Sequence, residues 1–265
     1  TQPRYGQARS GTVVHVFVTE PFSYEARVKA DPGRHPKSDT FPVLKLNEAR
    51  DFQTGIYDYN HMTSVFVALG DHPKTRRGHP TKITFSGQEW CGMIFEQLRF
   101  EPKRIDQHRF SYFDGEGEAK MALDHPSGGV TMDELPIWLR GLTAGPPLAP
   151  GASTSMPILP SIQRTRMLHR ELAWIRGEVA RAPAPETVEV PYGRFEADRY
   201  TVRLTNGETW SYWVESAWPR RILRWDGPSG EKAELLGSDR LPYWQLHDEG
   251  HEKLLKRIGL PGTSP

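Results

Sequence analysis

One cysteine stands in the segment Gln88-Glu89-Trp90-Cys91-Gly92. A thiolate there could act as a nucleophile and the Gln88 amide could donate to an oxyanion, in loose likeness to a Gln-x-Cys-x-Gly motif. A thiol nucleophile also needs a base, and ten histidines offer candidates without any spacing that selects one. A buried cysteine inside an aromatic strand explains the same residues without catalysis, and that is the expectation.

Two further clusters have metal-ligating residue types. His247 and His251 are four apart, which on a helix would place two imidazoles on one side for a Zn²⁺ ion. Asp248 stands where the metalloprotease motif has Glu, and Gly250 weakens the helix the geometry needs, so a polar helix entry is expected instead. Asp114, Glu116 and Glu118 alternate, so a strand would align their carboxylates and a loop could wrap them around Ca²⁺. They lack a calcium-loop spacing, and a solvated turn at a strand end accounts for them. His61, His72, His79 and His125 add no ligand spacing, and no metal or cofactor is expected.

Aromatic residues are the other chemical resource. Trp90, Tyr57 and Tyr59 are the candidates for binding an apolar ligand on a sheet face. Trp210, Tyr212, Trp213, Trp218, Trp225, Tyr243 and Trp244 crowd the C-terminal part beside Arg220, Arg221 and Arg224, and core packing is expected there. Lys and Arg number 34 against 33 Asp and Glu, a net charge of +1, which removes the general electrostatic case for nucleic acid or an anionic membrane as partner. No apolar run approaches the ~18 residues of a spanning helix, so a soluble protein is expected. With one cysteine no intrachain disulfide forms, and packing must supply stability.

The elements that must position these residues read as short strands and turns. Twenty-four Gly and 23 Pro, with little helical periodicity, predict a mainly β fold of antiparallel curved sheets, a half-barrel or two related lobes. Thr12–Thr19 is a β-branched strand expected to stop at Glu20-Pro21. Further strands are expected at Pro42–Asn47, Ser64–Leu69, Lys82–Ser86, Trp90–Phe100 and Arg109–Phe113. Thr131 and Glu134 form a capping-box pattern for a short helix near 132–141. Ile162–Val179 fits a helical face but has no evident cap, and reads as two strands. Asn206-Gly207 predicts a type I′ hairpin between Arg199–Leu204 and Thr209–Val214, and a second hairpin surrounds Asp226–Gly230. A terminal amphipathic helix is expected at 250–258. The Pro- and Gly-rich stretch Thr143–Pro160 divides an N-terminal β lobe, 1–142, from a C-terminal one, 143–265, unless the two form one continuous domain.

Thr1–Ser23, Leu44–Phe66, Ser86–Leu98 and Ser111–Ala119 together resemble a family of bacterial envelope proteins often labelled septum formation inhibitor Maf. True Maf proteins are α/β nucleotide pyrophosphatases, whose parallel-sheet pattern is missing here, so their activity is not carried over. The resemblance implies a lipoprotein on the periplasmic side, with a signal peptide and a lipidated Cys ahead of Thr1, and with membrane contact only through that anchor. It supplies no catalytic residues. The expected function is non-enzymatic binding of an apolar small molecule or an envelope protein partner on a concave aromatic sheet face. The alternatives are a cysteine-dependent hydrolase using Cys91 and Gln88, and a structural subunit of an envelope assembly.

Overall fold

The β-branched run near the start is a strand, and a longer one than its sequence predicts. Gly11–Ser23 forms β1 and runs straight through Glu20-Pro21. Pro21 stands opposite Pro42 of β3 (Thr40–Thr54), beyond the short β2 (Val28–Lys29). The two proline carbonyls point away from each other: that of Pro21 accepts from Ala30 N and that of Pro42 from Leu69 N, each at 2.9 Å. Neither proline is required to donate across the pair, so the ladder continues past both.

The computed structural model describes residues 7–261, of which strands are the dominant element, 49% against 12% helix. The expected class is therefore what is found, with two curled sheets forming half-barrels. The first sheet adds β4 (Tyr57–Ala68), β5 (Pro80–Glu89), β6 (Gly92–Phe100), β7 (Arg104–Ser111) and β8 (Ala119–Asp124), in the order β2-β1-β3-β4-β5-β6-β7-β8. Every neighbour is antiparallel. Thr54 faces Tyr57 and Glu89 faces Gly92, so two-residue turns, Gly55-Ile56 and Trp90-Cys91, close β3 to β4 and β5 to β6. Gly55 supplies the left-handed φ of 61° that the first of these turns needs at its first central residue.

This sheet belongs to a compact unit made of the chain up to Pro147 together with Ser155–Gly177 and Leu204–Asn206. Its inner face carries Leu46, Val65, Ile83, Phe85, Leu98 and Ile105, packed with Ile137, Leu159, Ile162 and Leu172. β9 (Val130–Thr131) leads towards α1 (Leu135–Trp138), which supplies Ile137. β10 (Ser153–Leu159) pairs with β9 in parallel and supplies Leu159, while α2 (Ile162–Met167) and the stretch beyond it supply Ile162 and Leu172. Burying each such side chain stabilises the unit by roughly 1.5–3 kcal/mol. Ile105 is 0% exposed, and Ile105→Val is expected to cost about 1 kcal/mol. A lowered urea midpoint at unchanged slope would show it.

The capping box forms as read. Thr131 Oγ1 accepts from Glu134 N at 3.1 Å and donates to the Glu134 carboxyl at 2.9 Å, opening a 3-10 turn, Met132–Glu134, that leads into α1. Ile162–Val179 is not two strands. It begins with α2 because Ser161 does cap it, accepting from Arg164 N, and only then becomes β11 (Ile175–Arg181).

A second unit comprises Leu148–Thr154, Glu178–Arg203 and the chain from Gly207 on. It holds β12 (Glu186–Val190), β13 (Gly193–Leu204), β14 (Thr209–Glu215), β15 (Ile222–Asp226) and β16 (Lys232–Glu234), ordered β16-β15-β14-β13 with β12 also on β13. Val188, Val190, Ala197 and Leu223 form a core cluster with Phe195, Trp213 and Leu235. The hairpin around Asp226–Gly230 is present as β15 and β16. The β13–β14 hairpin is present too, but Arg203 and Thr209 are its last pair, so its loop is longer than a type I′ turn. Gly207 takes a positive φ there and Asn206 does not, and Thr205 N is drawn away to Arg176 O at 3.0 Å. The terminal helix is a 3-10 helix, His251–Ile258, with Leu254, Leu255 and Ile258 half-buried and Gly259 closing it at φ 77°. No helix among the described residues is long and apolar enough to cross a membrane.

Candidate binding site

Alternation along β4 puts Tyr57, Tyr59 and His61 on one face, and the register adds Phe52 of β3 opposite Tyr59. The rings form a continuous stripe. Trp90 lies 6.2 Å from Tyr57 at an interplanar angle of 30°, and Tyr57 lies 5.9 Å from Tyr59. Tyr59 stacks on Phe52 at 4.8 Å and meets His61 edge-on at 5.6 Å, and His61 reaches Phe85 at 5.3 Å. Exposure falls along it from 71% at Trp90 to 3% at Tyr59 and 1% at Phe85. One end is wet and the other is core.

Gly87 stands opposite His61, and a Cβ there would come within 3.1 Å of the imidazole, so a larger residue at 87 would displace the ring. Burial, reinforced by the Arg50 guanidinium, pushes the His61 pKa down to about 4, and the ring is neutral at pH 7. The Gln163 amide lies 3.3 Å from its Nδ1. At the wet end, Ile56 is 82% and Tyr112 75% exposed, with Met93 at 49%. Tyr112 N donates to Met93 O at 3.1 Å, and its ring occupies the space a Cβ on Gly92 would need. Three hairpin tips thus present apolar side chains at the same end of the sheet.

The three candidates Trp90, Tyr57 and Tyr59 are therefore brought together, although Tyr59 itself is covered. Cys91 is not buried in a strand: it is the second residue of the Trp90-Cys91 turn and is exposed. The apolar stretch that reads as one strand across Trp90–Phe100 in fact begins at Gly92. Gln88 is exposed on β5, opposite Asn60 and Met93, and no hydrogen bond among the described residues joins Cys91 to a histidine.

The acidic loop splits. Asp114 and Glu118 face solvent, and the Asp114 carboxylate accepts from Gly115 N at 3.0 Å. Glu116 turns inward to Ser111 Oγ at 2.6 Å, to the Arg166 guanidinium and to His169 Nδ1 at 2.7 Å. Burial works to raise its pKa, and the hydrogen bonds from Arg166, Ser111 and His169 overcome this and hold it at about 2. His247 is exposed beside Asp248 and lies outside the helix that starts at His251, so the two imidazoles do not share a helical face. Among the described residues no three His, Cys, Asp or Glu side chains gather as a metal ion would require.

In the second unit Trp210 and Tyr212 are buried, Arg224 stacks over Trp213 at 4.7 Å, and Trp218 and Trp244 are exposed. A cleft of about 450 Å³ lined by Arg77 and residues 141–145 lies away from the aromatic stripe, and Arg77 Nε is already spent on Thr143 O at 2.7 Å. Sequence reading missed His61 as the inner continuation of the stripe, although the spacing 57, 59, 61 carried the signal. It also missed Arg166, which lies 50 residues from Glu116 and has no local signature. No family model, curated protein or solved structure matches the chain.

Proposed function

We propose that the chain is a non-enzymatic binding protein of the bacterial envelope that holds an apolar ligand or partner segment against the aromatic end of its first sheet. The observation that carries the reading is Trp90: it is 71% exposed, yet it stacks on a stripe of rings anchored in the core. An exposed indole on a rigid support loses little conformational freedom when a ligand covers it, which is what makes such residues binding anchors. The middle of the inner face is filled by Ile137, Leu159, Ile162 and Leu172, so the ligand belongs at the rim. The envelope setting rests on the resemblance over residues 1 to 120. The hydrolase alternative has no base to work with, because among the described residues no imidazole is hydrogen-bonded to the Cys91 thiol.

Titration with the apolar fluorescent probe bis-ANS tests the site. Trp90→Ala is expected to weaken probe binding about 10-fold, a loss of ~1.4 kcal/mol, with an unchanged melting temperature. Trp244→Ala, at an indole 59% exposed in the second unit, serves as the control and should bind as wild type does. Equal effects from the two substitutions would overturn the proposal.

A further inference from the structure

The first sheet ends in two unlike edges. β8 is six residues long and carries exposed Lys120 and Asp124, the charged, short form that discourages strand addition. The β1 edge has none of these devices between Gly11 and Thr19: its sequence there is GTVVHVFVT, without lysine, proline or a register shift against β3.

Which backbone groups face this edge is decided by Pro21. Its carbonyl points away from β3, to Ala30 N, and alternation then turns the odd-numbered residues of β1 the same way. The N–H and C=O groups of Gly11, Val13, Phe17 and Thr19 accordingly point off the sheet. β2 pairs only with Phe22 and Ser23, so it leaves them open. The even-numbered side chains Val14, Val16 and Val18 form an apolar row on the outer face, all half-buried.

We propose that two copies of the chain join through this edge, β1 against β1 antiparallel, making one continuous sheet across a twofold axis. Ala30 closes the edge at Pro21, so the partner strand has to end by Thr19. The register that uses the whole open stretch pairs Gly11 with Thr19, Val13 with Phe17 and Val14 with Val16 of the other copy. Every one of these pairs is uncharged, and a net charge of +1 leaves the copies without mutual repulsion. A nine-residue seam is about 30 Å long, small beside the ~1,600 Å² of a standard interface, so the dimer is a dissociable one.

Sedimentation velocity across a concentration series is expected to show a monomer–dimer equilibrium. Val14→Lys, at an outer-face position, should weaken it about 10-fold or more by placing a charge in the seam. Circular dichroism and the melting temperature establish that this variant is folded. The register is read on a Cys91→Ser background: mixing Val14→Cys with Val16→Cys protein under mild oxidation should yield a mixed disulfide dimer, which Val14→Cys protein alone does not form. Non-hydrogen-bonded pairs sit about 4.5 Å apart at Cα, within disulfide reach. A chain that stays monomeric at every concentration overturns the proposal, and so does a dimer indifferent to Val14→Lys or one that gives no mixed disulfide.

Discussion

Glu134→Gln is expected to hold its stability above neutral pH where the wild-type protein loses it. Glu134 is 5% exposed, and burial pushes its pKa up from 4.5 to about 8, while its neighbour Asp133 rises to about 7, also through burial. Both carboxyls bind protons more tightly folded than unfolded, so their stabilisation is complete below about pH 4 and is lost as pH rises through the folded values. His61 works in the opposite sense: its folded pKa is depressed to about 4, so its stabilisation is complete above pH 6.5 and lost as pH falls. Glu48 and Glu116 are held near 2, so their contribution is lost only in acid, below their ordinary pKa.

The window from pH 6.5 to about 9 therefore isolates the two carboxyls from these opposing groups. At ~1.4 kcal/mol per pKa unit, wild type should lose about 2–3 kcal/mol across it. Glutamine keeps an acceptor for Thr131 Oγ1 and cannot ionise, so the variant should lose ~1 kcal/mol or less, the remaining Asp133 share. Urea unfolding at the two pH values measures both. Parallel declines in the two proteins would show that Glu134 does not carry the effect.

Arg166→Met should be the most damaging single change in the first unit, at about 3–5 kcal/mol. Arg166 is 6% exposed, bridges to Glu116 and faces Glu96, a buried carboxyl whose pKa is raised by burial and lowered by Gln107 and Arg166. Without the guanidinium, Glu116 keeps Ser111 and His169 but loses its permanent cation, and the two acids are left facing each other. Adding Glu116→Gln should return part of the loss, which a double-mutant cycle in urea would quantify. If the single variant lost less than ~1 kcal/mol, the pair would be no more than a surface bridge.

Most of the strands were legible because the fold reports itself locally. β-branched runs, proline and glycine punctuation and the Thr131 capping box each depend on neighbours a few residues away. The misreadings share a cause. β1 passes through Pro21 because Pro42 faces it, a pairing 21 residues distant. Helix α2 has a serine cap that reads as part of a proline-rich crossing, since Ser161 comes directly after Pro160. Asn206 departs from a type I′ turn because Thr205 is bonded to Arg176. The binding stripe was half legible: Tyr57, Tyr59 and Trp90 stand out by type, but the placement of Trp90 beside Tyr57 needs the β4–β5 register. Glu116 could be read only as one of three acids, because Arg166 reaches it from another element.

The turn that carries Trp90 also makes the molecule a convenient reporter of its own occupancy. Its single thiol, Cys91, is solvent-accessible and adjoins the indole, so a maleimide dye attaches at one known position without any engineered residue. Quenching of that dye by the neighbouring ring would change whenever something settles on the tip, giving an optical signal for screening candidate ligands on the unaltered chain.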